Sequence, residues 1–307
     1  MADRILPTTE YSHDGLRLRL SSVAPDLAPY ISSLYRTEVD AETVIEDWLP
    51  PEEANLRTGS AETYTAAIGT APLAKVPANI LSGATDRVTH LRVAGGRFWG
   101  IGLTPAGWAR FIDQPADGMA NRFADTAACA LDPSLPAMLA TLRHEIDDME
   151  QAADLVAQTF RPLLARRRPV EARVQAVHLH IVSEDIASAA ELAEAVNMTD
   201  RTLGRFCKRH FGFSPGALLR RQRFLRSLGK YMLDPSLRWI NSLDPNYWDQ
   251  AQFIRDFRAI MHMTPSEYAG LSHPVVGAAV AVTSAGAGVA MQALFHPDRP
   301  REAETGL

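Results

Sequence analysis

Between Ser188 and Leu271 the chain twice spells a short helix, a tight turn and a second helix, and one long helix joins the two pairs. Ser188 is placed to cap "AAELAEAV", with Glu191 three residues on as its capping-box partner. "NMT" reads as a turn, Thr199 caps "DRTLGRFCKRHF", and Gly212 stands where a left-handed residue closes a helix. Ser214 and Pro215 open the long helix "GALLRRQRFLRSLGKYML", which Pro235 ends. "LRWINSL" is a short helix, "DPN" a turn, Asp249 the cap of "QAQFIRDFRAIMH", and Thr264-Pro265 the start of "SEYAGL". This order is that of two helix-turn-helix units.

In each unit the second helix presents its N-terminal outer face to a DNA major groove. The outward positions of the first are Thr199, Arg201, Gly204, Arg205, Lys208 and Arg209, with Leu203, Phe206 and Phe211 facing the core. Those of the second are Gln250, Ala251, Ile254, Arg255 and Arg258, anchored by aromatics, Phe253 and Phe257 among them. Arg pairs in bidentate fashion with guanine and Gln with adenine, while Lys208 and Arg258, further along, suit phosphates.

The formal net charge is −5, unevenly spread. Arg161 to His273 holds seventeen Lys and Arg against eleven Asp and Glu, so this stretch is at +6 and the remainder at −11. Thr199 to Arg238 holds ten basic residues against Asp200 and Asp234. Such a segment suits a polyanion, or equally a solvated basic helix face.

From about Val174 to Leu271 the sequence resembles the DNA-binding domain of AraC/XylS-type transcriptional regulators. The resemblance is carried by Leu203 and Arg205 of an L-x-R helix, "GFSP", "RFLRSL", the helix marked by Tyr247, Asp249, Gln250, Phe253, Arg255 and Phe257, and the closing "TPSEY". It departs from the family at Cys207, where Phe is usual, and at Asn246 and His262, where Gly is usual. Asn246 is able to take the left-handed conformation. The Trp239–Tyr247 segment is one residue short, which leaves the second unit's turn to be recast. The resemblance implies duplex DNA as partner, contact with RNA polymerase, and no bond-making chemistry.

The first 130 or so residues have another texture. "GLRLRL" and "VTHLRVAGGRFWGIGLTP" alternate as strands, with frequent turn signals. "LAPYISSLYR", "WLPPEEANLRTG" and "VAGGRFWGIGLTPAGWARFI" resemble the cupin-like effector domains fused to such regulators. That implies a small-molecule sensor, followed by a helix that mediates homodimerisation. Trp48, Trp99 and Trp108 are candidates to line its pocket, against the plainer reading that they are core. The Leu135-to-Leu163 stripe is most simply core, with half of it available as a dimer seam.

The expected architecture is thus a two-domain α+β chain. A mostly β, cupin-like domain spans 1–131, a helical connector 132–168, an all-α domain of two helix-turn-helix units joined by a long helix 169–273, and an Ala/Gly-rich tail 274–307. Length (307 residues), 46% hydrophobic and 22% charged content fit such a protein. Two cysteines, no disulfide framework and a polar start point to the cytoplasm. Val275 to Phe295 is uncharged and long, but so poor in large apolar residues that it reads as a packed tail, not a membrane span. Neither a cofactor nor a metal is expected: His90, His178 and His180 form no ligand set, and "AGGRFWGIG" lacks the dinucleotide spacing. The rival reading is a small-molecule enzyme in the β domain with an accessory helical domain. It needs a converging acid, base or metal set that the sequence does not display.

Overall fold

The computed structural model describes residues 8–112, 114–166, 172–234 and 239–287. The N-terminal part is one antiparallel sheet. Its strands are β1 (Thr8–His13), β2 (Leu16–Ser21), β3 (Ile31–Leu49), β4 (Ala54–Ile68), β5 (Ala74–Lys75), β6 (Asn79–Ser82), β7 (Thr89–Leu103) and, after helix α1 (Pro105–Phe111), β8 (Phe123–Asp125). The order is β1-β2-β3-β7-β4-β6-β8, with β5 beside β4.

Three strands are long, and their pairing is interrupted at one level, with a shift of register only between β3 and β7. β3 slips between Val39 and Val44, opposite Gly96 and Ala94 of β7, and β4 passes the same point between Ala61 and Thr63. Gly95 and Gly96 take φ of 50° and 144°, a combination suited to glycine. A Cβ on Gly96 would stand 2.2 Å from the Ser60 carbonyl oxygen. A bulge bends its strand and raises the twist, so the slip in β3 beside the Gly95–Gly96 pair curls the sheet. Accordingly Leu16 and Val39, before the break, share one apolar cluster with Ile45, Leu91 and Val93 beyond it.

The other face of the sheet carries Leu34, Leu56, Trp99 and Ile101 and is covered by α1, α2 (Ser134–His144) and α3 (Met149–Arg166). The stripe expected from Leu135 to Leu163 is here two helices. The chain leaves the first at Glu145, and Asp148 restarts it by accepting the Glu150 and Gln151 N–H groups. Leu135, Met138, Leu139, Leu142, Met149, Val156, Phe160 and Leu163 all enter the sheet core. The stripe is spent inside the chain, so half of it is not free as a dimer seam.

The remaining helices are α4 (Ala172–Val182), α5 (Ala189–Ala195), α6 (Asp200–Phe211), α7 (Pro215–Leu233), α8 (Trp239–Ser242), α9 (Gln250–Met261), α10 (Pro265–Ala269) and α11 (Pro274–Ala287). The basic connector expected around Pro169 and the break expected at Pro235 lie outside the described residues. α7 is the shared spine. Its Leu218 packs with Leu192, Leu203, Cys207 and Phe211. Its Phe224, Leu225 and Leu228 pack with Phe253, Phe257, Ile260 and Tyr268.

Candidate functional site: two recognition helices and the joint beneath them

The caps form where the sequence places them. Ser188, Thr199, Ser214, Asp249 and Thr264 each accept a backbone N–H from the first turn of the helix that follows. Thr264 and Glu267 complete a capping box. Glu191 differs: its carboxylate takes the Ala187 N–H at 2.9 Å, one residue earlier than expected, and that bond holds it below the usual carboxylate range. Gly212 closes α6 with φ of 85°. Asn246 does not take the left-handed conformation. His262 does, with φ of 56° at the end of α9, and Asn197 does so in the first unit's turn.

The shortened turn of the second unit is rebuilt around Asp244, which follows α8 and is buried against α7. Arg226 Nε donates to its carboxylate, its own N–H donates to Ser227 Oγ at 2.8 Å, and Asn246 N–H donates to Oδ1 at 2.9 Å. Asn246 Nδ2 also reaches the Glu184 carbonyl at 2.8 Å. The turn is thereby tied to both α7 and the end of α4, and α9 leaves it capped. A lone buried carboxylate is costly; here the Arg226 guanidinium and the Asn246 N–H answer it, one at each oxygen.

On α6, Thr199, Arg201, Arg205, Lys208 and Arg209 are exposed and Gly204 is half-buried. On α9, Gln250, Ala251, Arg255 and Arg258 are exposed and Ile254 is half-buried. None of these arginines nor Lys208 enters an ion pair among the described residues. Leu203, Cys207 and Phe211 hold the back of α6; Phe253, Phe257, Ile260 and Met261 hold that of α9. Burial pushes the Cys207 thiol up to about 12, as befits a small apolar filler.

Two sequence readings change. The basic surplus of Thr199 to Arg238 is partly internal: Arg221 and Arg226 are buried, and Arg223 faces Asp256 at 3.7 Å and lies over the Tyr247 ring. Not all aromatics of the second unit anchor it, either. Tyr247 is buried, but Trp248 is 93% exposed immediately before α9, its N–H held by Gln252 Oε1 at 2.9 Å. Only a large apolar side chain out of register with the helical stripe hinted at this. Gln252, in turn, serves the cap and not the outer face.

Beneath the recognition helices lies a buried joint. Glu53, just before β4, faces His178 Nε2 of α4 at 3.3 Å and Arg221 of α7 at 4.0 Å. Arg221 also donates to the Thr85 carbonyl at 3.2 Å, and burial draws its guanidinium below the usual value despite Glu53 and Asp86 nearby. A crevice of about 20 Å³ lined by Glu53, Thr104, Trp108, Phe211 and Arg221 adjoins it. That is room for about one water.

The three tryptophans do not converge. Trp99 and Trp108 sit in the sheet core, Trp99 under the Arg36 guanidinium and Trp108 donating to the Gln114 carbonyl at 2.9 Å. Trp48 belongs to another cluster, stacked on His90 beside the second unit.

The helix-turn-helix domain family model matches residues 192–270. Among solved structures, an apo ToxT variant from Vibrio cholerae strain SCE256 is 10% identical, covering 77% of this chain and 96% of that one at a TM-score of 0.42. The AraC-like transcriptional activator CuxR is 10% identical, covering 73% and 86% at 0.31. No curated protein matches the chain. With these scores under 0.5, the assignment of the C-terminal region rests on the family match together with the two capped recognition helices. Residues 192–270 are therefore a helix-turn-helix domain of the AraC type, and the chain that carries it is a DNA-binding transcription regulator.

Proposed function

We propose that α6 and α9 enter successive major-groove segments of one duplex, that Arg201, Arg205, Gln250 and Arg255 read bases, and that Lys208, Arg209 and Arg258 hold phosphates. One observation carries this reading: among the described residues the exposed cations on the outer faces of both helices enter no ion pair, while Arg221, Arg223 and Arg226 of α7 beneath them do. Thr199 and Asp249, as caps, leave further first-turn N–H groups pointing outward for phosphate oxygens.

The N-terminal sheet domain responds to a small-molecule effector, and control is by DNA occupancy and by contact with RNA polymerase, in the cytoplasm, as a homodimer. The family resemblance supports these parts. No group of three or more His, Cys, Asp or Glu able to hold a metal occurs among the described residues. The domains run as read from the sequence, 1–131, 132–168, 169–273 and 274–307. The test is duplex binding by the full chain across a salt series. The expected result is an affinity that falls steeply with salt as phosphate counterions return. Indifference of a folded chain to duplex at low salt would sink the proposal.

A further inference from the structure

The curled sheet does not enclose an empty space. Leu16 and Leu18 of β2, Val39 of β3 and Leu91 of β7 pack into one cluster with Ala278 and Val282 of α11. Both helix residues are buried. The helix is also fastened by polar bonds. Asp47 of β3, itself fully buried, accepts the N–H groups of Val275 at 2.8 Å and Val276 at 2.9 Å through Oδ2. That satisfies first-turn donors and opposes the positive end of the helix. Thr9 of β1 donates to the Val282 carbonyl at 3.2 Å. The small side chains of Gly277, Ala278 and Ala279 keep the helix slender enough to lie against the sheet's inner face.

The opposite side of α11 touches the DNA-binding domain. At 3.6 residues per turn, Val276 and Val280 lie across the helix from Ala278 and Val282. They pack with Phe224, Leu225 and Leu228 of α7, the spine of both helix-turn-helix units. α11 is thus a wedge with one face in the sheet and the other on the linker helix.

We infer that α11 is an intramolecular occupant of the sheet domain's ligand site, that an uncharged apolar small molecule competes with it there, and that its departure is felt at α7. The lining decides the ligand class. It is apolar, aliphatic residues bordered by Tyr11, Tyr35, Tyr64 and Phe98, and Arg57, on the same face in the row of Tyr35 and Gly100, is already engaged by the Tyr35 hydroxyl and by Glu52, each at 2.7 Å. The Arg57 guanidinium is thus answered within the chain and does not await a carboxylate. A ligand that must expel α11 binds with its affinity reduced by the fraction of time the site is open. Because binding effects are reciprocal, anything that expels α11 shifts DNA affinity in one direction, whether ligand or mutation. That last clause rests on the regulator reading above; the first two do not.

The experiment uses the full chain and the uncharged dye N-phenyl-1-naphthylamine. Val282→Asp puts a charge against the sheet and opens the site; Ala281→Asp, on the exposed edge of α11, is the control. The expected result is one saturable dye site per chain, bound at least about tenfold tighter by Val282→Asp than by wild type or Ala281→Asp. Saturating dye should speed elastase cleavage within Pro274–Ala287 of the wild type. Should Val282→Asp fail to fold by thermal melt, Asp47→Asn, which keeps the side-chain volume and drops the charge at the helix start, carries the same expectation. A folded variant that binds dye no tighter than wild type overturns the inference, as does wild-type binding with unchanged cleavage. Duplex affinity read on the same samples separates the two proposals. Dye and Val282→Asp moving it in opposite directions refutes the coupling, whereas wild type without any duplex binding refutes the regulator reading and leaves the occupant standing on the dye data.

Discussion

Glu53 and His178 face each other at 3.3 Å across the seam between the sheet domain and the first helix-turn-helix unit, both buried. With Arg221 they tie a strand entry, α4 and α7 to one point. Removing Glu53 strands a buried guanidinium. Glu53→Ala should therefore cost about 3–5 kcal/mol in unfolding free energy, the usual penalty for breaking a buried charge pair from one side. Urea unfolding checks this. A loss within 0.5 kcal/mol, about what an unremarkable surface site gives, would mean the joint carries no such charge.

Arg205 and Lys208 should separate by kind of effect. Arg205→Ala should cost about 1–3 kcal/mol on the cognate site and flatten preference at one or two base pairs. Lys208→Ala should weaken all sequences alike and lower the salt slope by about one. Binding-site selection with a salt series on each variant measures both. An Arg205→Ala protein of normal stability with an unchanged sequence preference removes Arg205 from the base-reading set.

Trp248 tests the second unit. A side chain this exposed contributes little to folding, so Trp248→Ala should leave the melting temperature within a degree or so while weakening duplex binding by more than about 1 kcal/mol, as truncation of an interface tryptophan does. Arg255→Ala on the same helix should show the base-reading pattern, because Asp244 and Arg226 hold the shortened turn in place. Normal duplex affinity in Trp248→Ala would put this end of α9 off the DNA.

Glu38 supplies a pH dependence. Burial pushes its carboxyl up, but Arg36, Arg19 and Arg17 outweigh that and hold it below its ordinary value of 4.5. A carboxylate with a lowered folded-state value stabilises the fold above the unfolded value, and that contribution is lost as pH falls through the folded one. The melting-temperature gap between wild type and Glu38→Gln should thus be full at pH 7, shrink below about 4.5 and vanish in stronger acid. A gap that widens toward acid contradicts the sign.

The tail bears on stability as well. Ending the chain at Pro274 uncovers the partners of Val276, Ala278, Val280 and Val282, all buried. The loss should be on the order of several kcal/mol, from about 1.5–3 kcal/mol per buried valine. Described helices include none long and apolar enough to cross a membrane. Thermal melts of the shortened and full chains decide the matter; equal stability would detach α11 from the body.

The sequence by itself determined the helices of the C-terminal domain and their outer faces. Capping and helical periodicity are local, written within four residues of where they act, so Thr199, Gly212, Asp249 and Thr264 are legible one at a time. Strand texture in "GLRLRL" and "GRFWGIGL" was legible for the same reason. Tertiary structure decided what depends on partners far along the chain. Arg221 and Arg226 look like Arg205 in sequence, and only the distant Glu53 and the folded-back Asp244 make them internal. Trp48 and Trp99 lie in one β domain, yet on either side of the break in strand pairing, and they join different cores. The stretch after Pro274 reads as featureless alanine and glycine until Asp47, more than two hundred residues upstream, caps it and the sheet closes round it. Burial and charge pairing are properties of neighbours in space, and a sequence lists neighbours only along the chain.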